Sequence, residues 1–71
     1  MKLSARNQLK GTITSIKTGA VNCIVTLDIG GGNTVTSTIS INAVEELGLK
    51  VGMVAYAVIK ATSVMIGVDD E

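Results

Sequence analysis

Two alternating runs separated by a glycine-rich break constrain this chain more than any other feature. Val21, Cys23, Val25, Leu27 and Ile29 recur at every second position, with Asn22, Thr26 and Asp28 between them and Ile24 as the exception. Gly30-Gly31-Gly32-Asn33 follows, and then Val35, Ser37, Ile39 and Ile41 alternate with Thr34, Thr36, Thr38 and Ser40. A period of two sends successive side chains to opposite faces, so each run reads as a strand with one covered face. Glycine and asparagine accept the positive φ of a tight hairpin, which makes residues 30–33 a turn.

The flanking segments extend this sheet. From Gln8 to Ile16, Leu9 and Ile13 stand against Gln8, Lys10, Thr12 and Thr14, and Gly11 within the run predicts a bend or bulge. Residues 17–20 read as a tight turn. Past Ile41 the period changes. Asn42 is expected to cap a helix over Ala43–Leu47, with Glu45 as the third residue after the cap and Gly48 as the stop. A helix this short depends on packing, here of Val44 and Leu47 against one end of the sheet. Residues 50–52 form a loop. Met53 to Ile59 is a nearly continuous apolar run, which predicts a strand buried on both faces. Val64, Ile66 and Val68 alternate with Ser63, Met65 and Gly67 as a fifth strand, and Asp69-Asp70-Glu71 is a frayed acidic tail. The expected fold is all-β: a small five-stranded OB-like barrel with one short helix between strands 3 and 4, although other small barrels share this order.

At 71 residues the chain is read as one domain, residues 1–71, whose core alone is a marginal support. Cys23 is the only cysteine, so no internal disulfide forms, and the absence of histidine removes the commonest zinc ligand. Oligomerisation is the support that remains. The sequence is 46% apolar and 17% charged, an apolar excess most simply explained as an interface in a homo-oligomer. Net charge is zero and Tyr56 is the one aromatic residue, which argues against nucleic acid as a partner. No apolar leader and no bilayer-length run is present, so no membrane role is expected. A cytoplasmic location is the default, and a lone reduced cysteine agrees with it.

Little here supports catalysis. The glycine triplet lacks the lysine and the following helix of a phosphate loop. Asp28, Glu45, Glu46 and the tail are too scattered for an acid–base pair or for direct ligation of a metal cation. Cys23 has no histidine to activate it and reads as a buried hydrophobe. Lys60 near Ser63 is too little for a serine nucleophile. The chain is therefore read as a binding protein and not an enzyme. Two donor-rich segments stand out: Ser4-Ala5-Arg6-Asn7-Gln8 and Lys60-Ala61-Thr62-Ser63, neither containing a carboxylate. Such a set suits a small anion that only accepts hydrogen bonds. On residue types alone the ordinary reading, polar side chains satisfying backbone at strand ends, is the stronger one.

The wording of the segments changes that balance. Ser4-Ala5-Arg6-Asn7-Gln8-Leu9-Lys10-Gly11 resembles the opening signature of the molbindins, the small molybdate-binding proteins, whose domain also recurs in molybdate-responsive regulators and importer ATPases. The similarity continues through residues 16–22, Ile39-Ser40, Glu45-Glu46-Leu47-Gly48-Leu49 and residues 57–65. It covers almost the whole chain, as in a stand-alone molbindin. The resemblance implies a small OB-like barrel assembled as a homohexamer, a trimer of dimers, with oxyanions held between subunits. It implies a site of Ser4 and Arg6 from one chain with Ser40, Lys60, Ala61, Thr62 and Ser63 from a neighbour. Thr62 replaces a serine common in the family and keeps the hydroxyl. A second site nearer the three-fold axis would involve Gly19, Ala20, Val21 and Asn22. The implied ligand is molybdate or tungstate, with no organic cofactor, and the implied role is intracellular molybdenum storage. Two other classes stay open at this point: an oligomerisation or sensing module that reports oxyanion occupancy to a protein partner, and, less favoured, an OB-type nucleic-acid-binding module.

Overall fold

The computed structural model describes residues 1–70. Its elements are β1 (Asn7–Thr18), β2 (Asn22–Gly30), β3 (Asn33–Ser40), α1 (Ile41–Leu47), β4 (Val54–Ile59) and a 3₁₀ turn over Ala61–Ser63. The four strands form one curled antiparallel sheet in the order β3-β2-β1-β4, half of a barrel.

The hairpin between β2 and β3 closes as the glycine triplet requires. Gly30 pairs with Asn33, and Gly31 and Gly32 at the turn's centre have φ of 63° and 79°. Both values lie where a side chain would be strained, which is the geometry of a primed turn. Gly30 itself donates to the Asp28 carboxylate at 2.9 Å. The first strand runs two residues further than its alternation suggests, and the turn after it falls at residues 19–21, closed by the Gly19 N–H on the Asn22 carbonyl at 2.8 Å. Val21, expected on the covered face of a strand, lies in this turn and is 75% exposed.

β1 is long and irregular, and Gly11 and Ile13 explain why. Its register against β2 shifts between Ile13 and Ser15. There the backbone of Ile13 is stitched to the β4 approach: its N–H donates to Met53 O at 2.9 Å and its carbonyl accepts from Gly52 N–H at 2.7 Å. Such a bulge bends a strand, so that β1 serves β2 along its later half and β4 along its earlier half. Gly11 lies where β2 comes closest. A Cβ there would sit 2.6 Å from the Asp28 carbonyl oxygen.

The core fills the concave face. Ile13, Cys23, Val25 and Leu27 are buried, with Ile16, Ile29, Ile39, Val44, Leu49, Ala55 and Ala57 packed around them. Cys23 is buried, as its place in the alternation predicted.

Three expectations are corrected. Helix α1 begins earlier than Asn42: Ser40 is the cap, its Oγ accepting from the Ala43 N–H at 3.0 Å, and Ile41 and Asn42 are helical. A hydroxyl at a strand end captures the first free N–H groups before Asn42 can. The helix does end at Gly48 (φ 63°), with Gly48 N–H on Glu45 O and Leu49 N–H on Val44 O, a Schellman closure. Second, β4 is not buried on both faces. Ala55 and Ala57 pack on the core, but Val54, Tyr56 and Val58 are 53%, 47% and 43% exposed, because no described residue packs a second layer over that face of β4. Third, residues 64–70 form no strand, so among the described residues the sheet has four strands where five were expected, and they leave the barrel open. Met65, Ile66 and Val68 are 93%, 88% and 89% exposed. An open apolar groove of about 620 Å³, lined by residues including Val25, Leu27, Ile39, Leu49, Ala55 and Ala57, lies along the concave face.

Candidate functional site

The antiparallel register sorts the predicted site residues into two groups. Asn7 is the partner of Ile59, the first residue of β1 against the last of β4. This pairing brings Ser4-Ala5-Arg6 and Lys60-Ala61-Thr62-Ser63 to one end of the sheet as the continuations of paired strands. At the other end, Thr18 faces Cys23 and Asn22 faces Ser40. That pairing gathers Gly19, Ala20, Val21, Asn22 and Ser40. The 12 residues of β1 lie between the groups. At ~3.3 Å per residue they span up to roughly 36 Å, reduced by whatever the bulge takes up. No small anion reaches from one group to the other within one protomer, which corrects the division implied by the resemblance: Ser4 and Arg6 share an end with Lys60–Ser63, and Ser40 and Lys60 of one chain cannot serve the same anion.

At the first end, two side-chain amides organise the backbone. Asn7 Nδ2 donates to Ile59 O at 3.2 Å, and Gln8 Nε2 donates to Ala5 O at 3.0 Å. The 3₁₀ turn closes with Ser63 N–H on Lys60 O at 2.8 Å and Val64 N–H on Ala61 O at 3.3 Å. The N–H groups of Ala61 and Thr62 precede these closures and have no backbone acceptor among the described residues. Ser4, Arg6, Lys60, Thr62 and Ser63 are all exposed. This end therefore presents an ammonium, a guanidinium, three hydroxyls and open peptide N–H groups without a carboxylate in either segment.

At the second end lies a concavity of about 360 Å³ lined by Ala20, Val21, Asn22, Ser40, Ile41 and Asn42. The Ile41 N–H donates to Val21 O at 3.2 Å, which ties the β1–β2 turn to the start of α1. Because Ser40 Oγ already accepts from Ala43, its own O–H proton is left to donate outward. Three residues predicted for the second site, Ala20, Val21 and Asn22, line this hollow together with Ser40, which was predicted for the first site, whereas Gly19 does not line it. Ile41 and Asn42 belong to it and were not anticipated. Asn42, expected to cap the helix, is instead the second residue of α1, two positions past the Ser40 cap. Among the described residues no three His, Cys, Asp or Glu side chains converge as a cation site would require. Both ends offer hydrogen-bond donors, and neither the first end's two segments nor the lining of the second hollow contains a carboxylate.

The chain matches the TOBE domain model over residues 3–66. It is 65% identical, over 97% of its length and 100% of the relative, to a probable molybdenum-pterin-binding protein of Haemophilus influenzae. It is 54% identical to molybdenum-pterin-binding protein 2 of Clostridium pasteurianum, over 93% of this chain and 97% of that one. Among solved structures, MopII from Clostridium pasteurianum superposes with a TM-score of 0.88 at 52% identity, covering 94% of this chain and 100% of that one. The cytoplasmic molybdate-binding protein ModG, with molybdate bound, superposes with a TM-score of 0.91 at 55% identity, covering 97% of this chain and 49% of that one. Similarity of this extent, over nearly the whole chain and at the level of both sequence and backbone, leaves one assignment: the chain belongs to the TOBE domain family and, within it, to the small molybdate-binding Mop-type proteins.

Proposed function

We propose that the chain is a single-domain binding protein that holds molybdate between protomers of a homo-oligomer and serves as an intracellular molybdenum store. The observation that carries this reading is the placement of the two donor groups at opposite ends of one sheet. Ser4, Arg6 and Lys60–Ser63 at one end and Ser40 at the other meet around one anion only when protomers pack end against end. The second hollow, at Ala20, Val21 and Asn22, is the second oxyanion site of the same assembly.

Molybdate at neutral pH is a tetrahedral dianion whose four oxygens accept and never donate. Lys60 supplies the charge; Ser4, Ser40, Thr62 and Ser63 supply hydroxyls; Arg6, Lys60 and Ala61 supply peptide N–H groups. Hydrogen phosphate carries a proton that finds no acceptor here, which costs it affinity. Sulfate has the same charge and is rejected by size, whereas tungstate, nearly the size of molybdate, binds alike.

Oligomerisation has its own support. Val54, Tyr56 and Val58 on β4 and Met65, Ile66 and Val68 beyond the 3₁₀ turn are apolar and exposed in the single chain. The sheet ends in two open edges, β3 and β4, beside an apolar groove. Residues 64–68 of a second protomer complete this half-barrel as its fifth strand. A hexamer, a trimer of dimers, is the assembly that the family resemblance favours, and a cytoplasmic location goes with the storage role.

The relatives' names pair molybdenum with a pterin, and the residues here do not fit one. A pterin ring asks for an aromatic surface to stack on and a carboxylate to read its N–H edge. Neither donor segment contains either, and Tyr56, the one aromatic residue, is in the middle of β4. The ligand is the free oxyanion. Equilibrium dialysis against molybdate, tungstate, sulfate and phosphate tests the reading. Tight binding of the first two alone supports it, and no binding of molybdate refutes it.

A further inference from the structure

Two side-chain hydrogen bonds at the Ser4–Lys60 end lie outside the backbone ladder of the sheet. Gln8 Nε2 reaches back to the Ala5 carbonyl, outside any strand pairing, and Asn7 Nδ2 reaches across to the Ile59 carbonyl at the last rung of the β1–β4 ladder. Each acceptor belongs to the peptide group just before a predicted ligand residue. The Ala5 carbonyl shares its peptide plane with the Arg6 N–H, and the Ile59 carbonyl shares its plane with the Lys60 N–H. All peptide bonds in the described chain are trans. In a trans peptide the C=O and N–H vectors are antiparallel and the plane is rigid. A side chain that fixes the carbonyl therefore fixes the direction of the N–H on the far side.

We propose that the Gln8 and Asn7 amides are positioning groups that aim the Arg6 and Lys60 peptide N–H donors at the oxyanion. This rests on the molybdate reading above and adds how the site tells one tetraoxo dianion from another. Sulfate and molybdate carry equal charge, so only size and direction separate them. Donors held in fixed directions fit one radius. Donors on peptide planes free to rock close onto the smaller ion as well. The arrangement also keeps the Ala5 and Ile59 carbonyls, two acceptors that would repel a dianion, occupied and turned away from it. Gln8 is exposed and Asn7 half-buried, so neither amide is a large part of the core.

The test uses the full-length assembled protein. Molybdate and sulfate affinities are measured by calorimetry for wild type, Gln8→Glu, Asn7→Ala and Gln8→Lys. Glutamate at 8 keeps the length and loses the donor; lysine restores a donor. Gln8→Glu and Asn7→Ala are each expected to lower the molybdate-to-sulfate affinity ratio about tenfold, the value of one good hydrogen bond. Gln8→Lys is expected to keep the wild-type ratio, because an added charge raises both affinities together. Because Gln8 is exposed, its variants are expected to retain oligomeric state and melting temperature, and a ratio that falls while both hold is not the effect of a merely structural role. An unchanged ratio in Gln8→Glu and Asn7→Ala, with wild type still binding molybdate, overturns the positioning role alone. A wild type that binds no molybdate overturns the functional reading itself.

Discussion

Ser40 and Lys60 lie at opposite ends of the same sheet, Ser40 paired with Asn22 where β2 begins and Lys60 one residue past the Ile59–Asn7 rung where β1 begins. On the proposed reading, residues that one anion touches together are held apart by the length of β1 in each protomer. The oligomer would then be part of the binding site, and occupancy and assembly would be linked, because a dianion that bridges two chains stabilises only the assembled form.

Lys60 supplies the only side-chain charge assigned to the anion. It is exposed and follows β4, so its loss leaves the sheet intact. Lys60→Ala is expected to weaken molybdate binding about 10- to 100-fold, the value of a hydrogen bond to a charged group, with little change in melting temperature. Calorimetry and thermal unfolding of the same preparation check both halves.

Ser40 has two separable roles. Its Oγ caps α1 through Ala43 N–H, and its O–H is assigned to the anion. Ser40→Ala is expected to cost about 1 kcal/mol of stability and also to weaken binding. Ser40→Asp keeps the cap, since aspartate serves as well as serine there, and places a carboxylate against the dianion. It is expected to melt near wild type and bind no molybdate. A Ser40→Asp protein that binds normally removes Ser40 from the site.

Gly11 is required by packing. With a Cβ 2.6 Å from the Asp28 carbonyl oxygen, Gly11→Ala forces β1 away from β2, at a cost of about 1–3 kcal/mol. Denaturant unfolding measures this directly, and a stability equal to wild type shows that the two strands have more room than described.

The exposed apolar segment after the 3₁₀ turn is the one proposed to carry the assembly. Ile66 is 88% exposed in the single chain, so Ile66→Asp cannot disturb the protomer's own core. It is expected to shift the protein to smaller species in sedimentation and to lose molybdate binding with them. Retention of the wild-type mass contradicts the role given to residues 64–68.

What could be read from the sequence follows from where its periodicity is decided. Val21 to Ile41 lies mostly inside one hairpin, where each side chain's face is set by local pleat and turn chemistry, and its alternation located β2, β3 and the buried Cys23. Gly48 stops α1 for an equally local reason. The misreadings are places where the deciding partner is distant. Ser40 outcompetes Asn42 as the cap because β3 delivers it with a free hydroxyl. The apolar run in β4 and the alternation of residues 64–68 promised two covered faces and a fifth strand, yet a single chain leaves both exposed. Under the proposed function, these segments are the surface that a second protomer would cover. The donor segments were legible as a set, but only the register of β1 against β4 and of β2 against β3 shows which of them meet.

The central claim, a site shared between protomers, is tested most directly by complementation. Lys60→Ala and Ser40→Asp homo-oligomers each bind molybdate weakly or not at all under the account given. Co-assembled from a mixture of both chains, the two variants should regain a fraction of wild-type sites at wild-type affinity, because some interfaces join an intact Lys60 end to an intact Ser40 end. Mixed oligomers that bind no more molybdate than their parents would contradict the shared site.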